Sequence, residues 1–230
     1  MADDPDEVAE VTAMCDGLVL NMGTPNPRKL EALLKAGKEA NRLDHPVVLD
    51  PVGVGSSDMR RNAGHQLLKH VRFAAIRGNA TEIATLERGT AAHRGVDADV
   101  EETAMDTVDE NAKRLARETG AVVVVTGDTD IVTDGKTIYR VHNGHSMMKT
   151  VTGSGCQLSV LLGAYVTANP DKPLHAALTA VCAMGLSGEI AHTRLVPLDG
   201  NASYRNYIID AIYNLTPETL EKGAKYETDN

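Results

Sequence analysis

Short runs of β-branched residues alternate with longer amphipathic segments along the first half of this chain, and this alternation strongly constrains the fold. The apolar runs have strand length, whereas the segments between them repeat their apolar residues about every 3.6 positions, as helices do. Strand signals fall at 17–23, 45–51 and 73–79, and helix signals at 26–43, 58–71 and 80–86. Repeated strand–helix units predict an α/β fold, with a mostly parallel central sheet flanked by helices and joined by right-handed crossovers.

The second half of the chain adds a hairpin and then becomes mainly helical. The acidic stretch 97–120 predicts a solvated helix. Residues 121–141 predict a strongly apolar strand followed by a hairpin that turns at Asp134–Gly135. Further helices are predicted at 154–168, 173–193 and 201–214.

Composition limits the domain count and the classes of partner. A chain of 230 residues suits one large α/β domain, and no linker, low-complexity run or repeat divides it, so we expect residues 1–230 to form a single domain. The formal net charge of −9 argues against nucleic acid or an anionic membrane as partner. The three cysteines form no CxxC pair, and neither a signal peptide nor a transmembrane-length apolar run is evident. These features favour a protein of the reducing cytoplasm.

Polar and glycine-rich segments follow the predicted strands. They read NMGT (21–24), DPVGVGSS (50–57), RGNATE (77–82) and TGDTD (126–130). Ligands of parallel sheets bind beyond the carboxyl ends of the strands, so these four segments, together with the glycine-rich TVTGSGC (150–156) that opens a later helix, are expected to line one cleft.

Two carboxylates and two phosphate-binding side chains lie in these segments. Asp50 and Glu82 supply oxygen ligands suited to Mg²⁺, while Arg77 and Thr126 can donate hydrogen bonds to phosphate oxygens. A nucleotide with its magnesium is therefore a reasonable ligand. Structural alternatives remain: Asp50 can begin a turn, Arg77 can pair with a nearby carboxylate, and Glu82 can complete a capping box with Asn79.

The stretch TVTGSGCQLSVLLGAY (150–165) places a glycine-rich turn before a helix. Unpaired N–H groups at a helix start attract anions, and the helix dipole adds roughly half a positive charge there. Gly153 lets an oxyanion approach the backbone, and the same field favours the thiolate form of Cys156. The alternative is a helix capped by Ser154, with Cys156 as a small core residue.

Six motifs in this order closely resemble the hydroxyethylthiazole kinase family, which belongs to the ribokinase-like superfamily. They are LVLNMGT, VVLDPVGVGSS, AAIRGNATEIA, VVVTGDTDIVTDG, HNGH and VTGSGCQLSVLLGAY. The resemblance runs from about residue 8 to about residue 215 and implies a ribokinase-like fold. It also implies phosphorylation of the primary alcohol of 4-methyl-5-(2-hydroxyethyl)thiazole by ATP and Mg²⁺ in thiamine salvage. Homotrimers with active sites between subunits are usual in this family.

The resemblance also assigns roles to individual positions. It implies that Arg77 and Thr126 contact the nucleotide, that Gly153 contacts the substrate, and that Asp50 and Glu82 are the magnesium-associated carboxylates. Cys156 matches the catalytic position, where most ribokinase-like kinases carry an aspartate. As a thiolate it would accept the proton of the substrate hydroxyl.

Further expectations concern the N-terminus, the alternative functions, and the remaining histidines and cysteines. Relatives carry a further segment upstream, so the chain is expected to be short at its N-terminus, with Met1 matching a methionine that lines the thiazole pocket. Alternative functions are another ribokinase-like activity, namely a pyrimidine-alcohol kinase or an ATP-dependent hydrate dehydratase, or a nucleotide-binding homologue with impaired catalysis. For the histidines of HNGH we favour ordering of the loop over binding of a metal. Cys15 and Cys182 are expected to be packing residues.

Overall fold

The computed structural model describes residues 2–92 and 104–229, and all seven described strands form one mixed sheet. Its order follows the chain: β1 (Leu18–Asn21), β2 (Val47–Asp50), β3 (Ala75–Asn79), β4 (Val122–Thr126), β5 (Asp130–Thr133), β6 (Ile138–Val141) and β7 (Tyr226–Asp229). Strands β1 to β4 pair in parallel, and each later pairing is antiparallel. Five strands, β1 to β4 and β6, therefore run in one direction, which confirms the mostly parallel sheet.

Nine described α-helices flank the sheet. Their bounds are α1 (Val8–Ala13), α2 (Pro27–Arg42), α3 (Asp58–His70), α4 (Ala80–Ala92), α5 (Ala104–Thr119), α6 (Ser154–Ala168), α7 (Pro173–Thr193), α8 (Asn201–Tyr213) and α9 (Pro217–Gly223), with a 3-10 helix over Ser146–Thr150. The predicted hairpin turns at Asp134–Gly135, where Gly135 has a φ of 88°. The helix predicted over 97–120 is observed from Ala104, and its earlier part lies outside the described residues.

Two apolar clusters lie on opposite faces of the sheet because side chains alternate along each strand. Val47 and Leu49 pack with residues of α2 to α5, whereas Val48 packs with residues of α6, α7 and α8. Helix α7 is long and apolar enough to cross a membrane by length and composition, but most of it is buried in the second cluster. A core helix of a soluble domain has the same properties.

The cysteines differ from one another in burial. Cys182 is buried in the second cluster, as expected of a packing residue, and burial raises the pKa of its thiol to about 11. Cys15 is exposed in the turn after α1, where its Sγ donates to the Val11 carbonyl. The prediction that Cys15 packs in the core is therefore wrong, because α1 ends before it and turns its side chain toward solvent.

Candidate active site

Four polar side chains lie at the carboxyl ends of β1 to β4. The strand register pairs Asn21 with Asp50, and Asn79 with Thr126. Asp50 follows Val48 on the sheet face that packs against α6, and Thr126 follows Val124 on the same face. The sheet and α6 thus pack through apolar side chains along most of their contact. At the carboxyl ends of the strands, near the start of α6, the side chains between them are polar.

Asp50 is fully buried and lies at the centre of these polar groups. Its Oδ2 accepts hydrogen bonds from Asn21 Nδ2 at 2.8 Å and from Ser159 Oγ of α6 at 2.9 Å. Its Oδ1 lies 3.5 Å from Nη1 of Arg77 and has no hydrogen-bond partner among the described residues. A buried carboxylate oxygen without a hydrogen bond is costly, so this atom is available to a bound cation.

Arg77 connects Asp50 with Thr126 and with the start of α6. Its Nη2 donates to Thr126 Oγ1 at 2.9 Å, while its Nε has no partner among the described residues. A Cβ at position 155 would lie 2.5 Å from Arg77 Nη1, so only glycine lets the first turn of α6 approach the guanidinium so closely. The alternative that Arg77 pairs with a carboxylate is confirmed, and its unpaired Nε leaves it able to bind an anion as well.

Glu82 lies in the first turn of α4, after β3, and has both carboxylate oxygens engaged. Its Oε2 accepts from the Asn79 N–H at 2.8 Å, and Asn79 Oδ1 accepts from the Glu82 N–H at 2.9 Å, which confirms the capping box. Its Oε1 accepts from the Gly53 N–H at 2.8 Å. Glu82 thereby links the start of α4 to the loop after Asp50. A carboxylate has about four lone-pair positions, so these bonds do not prevent it from accepting others.

Helix α6 begins as the glycine-rich motif predicts, although its cap differs from the alternative proposed for it. Gly153 is the N-cap, with a φ of 93° that favours glycine, and Ser154 Oγ donates to the Met148 carbonyl instead of capping the helix. Cys156 is exposed in the first turn, so it is not a core residue. Asn21 Nδ2 lies 3.4 Å from its Sγ.

A cavity of about 380 Å³ opens beside the first turn of α6. The ends of β3 and β4 line it through Arg77 and Thr126, and the turn 127–130, the loop 142–149 and α7 complete its wall. Ser154 and Gly155 line it from α6. The structure therefore brings Arg77, Thr126 and the start of α6 together around one cavity. Asp50 and Cys156 do not line it, but Asp50 lies 3.5 Å from Arg77 and Cys156 lies 3.4 Å from Asn21. Met1 lies outside the described residues.

Asp130 is a lining residue that sequence reasoning did not single out. Burial raises its pKa to about 6, although a hydrogen bond from the Gly127 N–H and the charge of Arg77 act in the opposite direction. The signal available in the sequence was its place in the TGDTD segment. Asn21 and Ser159 were missed for a different reason, since their contacts depend on strand register and on the angle of α6.

The HNGH segment orders the loop on the far wall of this cavity, as favoured from the sequence. His145 Nδ1 accepts from the Met147 N–H and caps the 3-10 helix, and the ring stacks on His192 with centroids 3.5 Å apart. His142 Nε2 lies 3.2 Å from Glu227 of β7. Among the described residues, no group of three or more His, Cys, Asp or Glu side chains is arranged to hold a metal by itself.

Solved kinase structures share this fold. The chain is similar to the pyridoxal kinase from Staphylococcus aureus in complex with AMP-PCP, with a TM-score of 0.62 at 17% identity over 97% of this chain and 77% of that chain. It is similar to the hydroxyethylthiazole kinase protein from Pyrococcus horikoshii, with a TM-score of 0.87 at 28% identity over 100% of this chain and 84% of that chain. The fold is therefore that of the ribokinase-like kinases, as the resemblance implied.

Sequence comparison identifies the family within this class. The model described as "Hydroxyethylthiazole kinase family" matches residues 1–218. Hydroxyethylthiazole kinases from Clostridium acetobutylicum and Thermoanaerobacter pseudethanolicus are 49% and 42% identical, each over 99% of this chain, which covers 85% and 84% of their lengths. The chain belongs to the hydroxyethylthiazole kinase family.

Proposed function

We propose that this chain transfers the γ-phosphoryl group of ATP to the primary alcohol of 4-methyl-5-(2-hydroxyethyl)thiazole, a reaction of thiamine salvage. Family membership supports the reaction. The observation that carries the proposal is the exposed Cys156 in the first turn of α6, next in the chain to Ser154 and Gly155, which line the cavity together with Arg77 and Thr126. The relatives do not favour a pyrimidine-alcohol kinase, a hydrate dehydratase or an impaired homologue.

The cavity is the proposed nucleotide site. Arg77 and Thr126 bind phosphate oxygens, because the guanidinium still has a free Nε–H and both side chains line the cavity. Lys149, which pairs with Asp128 at the rim, adds a positive charge. Ser154 and Gly155 at the start of α6 line the same cavity. Helix starts leave backbone N–H groups without intrahelical partners, although the Ser154 N–H donates to the Val151 carbonyl at 3.3 Å.

Asp50 and Glu82 fit the proposed magnesium site. Mg²⁺ usually keeps several waters and relies on one or two carboxylates plus substrate phosphates, so it needs no preformed cage of protein ligands. Asp50 offers an Oδ1 without a hydrogen bond, and Glu82, in the first turn of α4, accepts from the N–H of Gly53 in the loop after Asp50. When bound, the ion would neutralise charge on the transferring phosphoryl group.

Positioning and proton transfer complete the proposed mechanism. The alcohol oxygen forms a bond to the γ-phosphorus while the bond from that phosphorus to the bridging oxygen breaks, and the electron pair leaves with ADP. Cys156 accepts the hydroxyl proton on Sγ, and the N–H groups of residues 153–156 stabilise the phosphoryl oxygens, with Gly153 allowing close approach. Met1 belongs to the proposed acceptor pocket.

We further propose a single kinase domain over residues 1–230, acting as a cytoplasmic homotrimer. Several apolar side chains suited to a subunit interface are exposed near α8, among them Leu198, Ile209 and Tyr213. Contiguous exposed apolar patches are typical of surfaces that another protein covers.

A coupled assay of ADP release with the thiazole alcohol and Mg²⁺–ATP tests the proposal. The unmodified chain should turn over this alcohol, and Cys156→Ser should lower kcat by about 10²–10⁴-fold because it removes the base. Cys15→Ser is the matched control, since Cys15 is also exposed but lies at the end of α1. Absence of turnover by the unmodified chain, or full activity of Cys156→Ser, would contradict the proposal.

A further inference from the structure

The loop 142–149 forms a wall of the cavity through residues that include Asn143 and Gly144, whereas Glu189 and the segment 223–229, which bond these two residues, do not line the cavity. Strand β6 ends at Val141, and Gly144 adopts a φ of 133° that favours glycine, so the chain leaves the sheet abruptly there. His145 and Met148 then face the cavity. Groups behind the loop must therefore fix the position of this wall.

Asn143 makes the first of these contacts. It is buried, with 7% exposure, and uses all of its polar atoms. Its Nδ2 donates to Glu189 Oε1 at 3.0 Å and to the Gly223 carbonyl at 2.9 Å, and its Oδ1 accepts from the Lys225 N–H at 2.7 Å. One side chain thus joins the loop to α7 and to the C-terminal segment.

Glu189 of α7 joins the same three parts of the molecule. Its Oε1 also accepts from the Gly144 N–H at 3.0 Å, and its Oε2 accepts from Lys225 Nζ at 2.7 Å. Burial alone would raise the pKa of Glu189, but the hydrogen bonds from Lys225, Gly144 and Asn143 hold it below its usual value. The carboxylate is therefore ionised at neutral pH.

The close packing of this region depends on α7. One turn before Glu189, a Cβ at Gly185 would lie 2.6 Å from Asn143 Cβ and 2.7 Å from its carbonyl oxygen. The loop thus lies directly on the helix backbone. Beyond it, the His142 N–H donates to the Lys225 carbonyl at 2.8 Å, so the C-terminal segment 223–229 runs alongside and continues as β7.

From this geometry we propose that Glu189 is a positioning residue for nucleotide binding, which makes the shape of the cavity depend on docking of the segment 223–229. The proposal rests on the proposed function, because it takes the cavity as the ATP site. Glu189 acts through the loop and does not itself line the cavity. Its loss should weaken ATP binding while leaving the chemistry at Cys156 intact.

Two substitutions alter the contact between Glu189 and Lys225. Glu189→Gln keeps an oxygen for Asn143 and Gly144 but presents an amide NH₂ to Lys225. Combining it with Lys225→Glu restores a hydrogen bond in the reverse direction, from the amide to the new carboxylate. Glu221→Gln, on the exposed surface of α9, is the matched control.

Calorimetric titration with a non-hydrolysable ATP analogue, beside steady-state kinetics, is the test. Glu189→Gln should raise both the Kd for the analogue and the KM for ATP about tenfold, with kcat at saturating ATP within about twofold. The double variant should recover most of this loss, and Glu221→Gln should match the unmodified chain. Should Glu189→Gln fail to fold by circular dichroism, Lys225→Met carries the test, with a smaller rise expected.

Each contrary outcome identifies a different error. If the unmodified chain binds the analogue and Glu189→Gln, or Lys225→Met in its place, binds it equally well, the positioning role is wrong while the proposed function stands. If kcat falls as much as affinity and the double variant does not recover, Glu189 supports the fold generally and the inference fails. If the unmodified chain binds no analogue, the proposed function and this inference fail together.

Discussion

The two faces of the central sheet carry helices of different character. On one face, α2 buries a stripe of small residues, Ala32, Ala36, Gly37 and Ala40, packs three partly buried leucines beside them, and exposes its charged side to solvent. On the other face, most of α7 is buried between the sheet and α8. The contrast therefore lies in the helices: α2 is amphipathic and exposes one side, whereas α7 is apolar and buried along most of its length.

The strand ends show what this difference means for function. Leu20, Leu49 and Ile76 point to the first face and join its apolar cluster. The residues that follow them, Asn21, Asp50 and Arg77, point to the second face and form the polar groups near the start of α6. In each strand, one residue therefore packs in the apolar core and the next belongs to the candidate site. Substituting the first should lower the free energy of unfolding, and substituting the second should lower catalytic activity.

Leu49 tests the structural side of this comparison. It is fully buried in the first cluster, so Leu49→Ala should lower the free energy of unfolding by about 2–5 kcal/mol. Activity per folded molecule should change little, because no group of the candidate site is removed. Urea unfolding and an assay normalised to folded protein measure the two effects, and a large loss of kcat in the folded fraction would contradict the separation.

Asp50, the next residue, tests the functional side. Asp50→Asn keeps the size of the side chain but removes the charge that faces Arg77 and the proposed magnesium. We expect kcat/KM to fall by about 10²-fold or more, since the reacting groups lose their alignment. Circular dichroism should show a folded protein. If the folded variant keeps its activity within a few-fold of the unmodified chain, Asp50 has no essential role in the proposed mechanism.

Asp130 lines the cavity, and its charged form should lower the free energy of unfolding. Because burial raises its pKa from 3.8 to about 6, the folded state disfavours its charged form. Its contribution to stability is full below pH 3.8 and is lost as pH rises through 6. Asp130→Asn should therefore be more stable at pH 7.5 by up to about 3 kcal/mol, a difference that shrinks toward pH 4.5. Equal unfolding curves at both pH values would contradict this.

Glu82 combines a structural role with a proposed functional one, because the capping box and the proposed magnesium site both use its carboxylate. Glu82→Gln loses one backbone hydrogen bond, which costs about 1 kcal/mol. If the carboxylate also binds the metal, the Mg²⁺ concentration for half-maximal activity should rise about tenfold. Glu31→Gln, on exposed α2, is the control. An unchanged Mg²⁺ dependence would leave Glu82 with its structural role alone.

The sequence predicts the strands and helices that carry clear periodicity, but it does not predict the C-terminal elements. The four residues of β7 are all exposed, so they lack the apolar alternation that identifies a strand. Their pairing depends on the free edge of β6 and on Arg140, which bonds both Asp109 and Asp229. These contacts join segments that are far apart in the chain, so the local sequence of β7 does not predict them.

The candidate site was predictable to a similar extent. Because ligands of parallel sheets bind beyond the carboxyl ends of the strands, the sequence predicted that Asp50, Arg77 and Thr126 lie close together. The glycine-rich motif predicted the start of α6. Sequence alone could not choose between the two uses of Glu82, because both need the same carboxylate. Asn143 and Glu189 are separated by 46 positions in the chain, and nothing in either local sequence indicates that they bond.

Cys156 and Cys15 offer the most direct test of the account, because both thiols are exposed but only one lies at a helix start beside Asn21. Competitive alkylation with iodoacetamide near neutral pH, followed by peptide mapping, compares their rates in one sample. We predict that Cys156 reacts at least about tenfold faster, because N–H groups at the start of α6 stabilise negative charge on the attacking sulfur, and that Mg²⁺–ATP with the thiazole alcohol protects it. Equal or faster modification of Cys15, or no protection of Cys156, would contradict an activated thiolate at the centre of this kinase site.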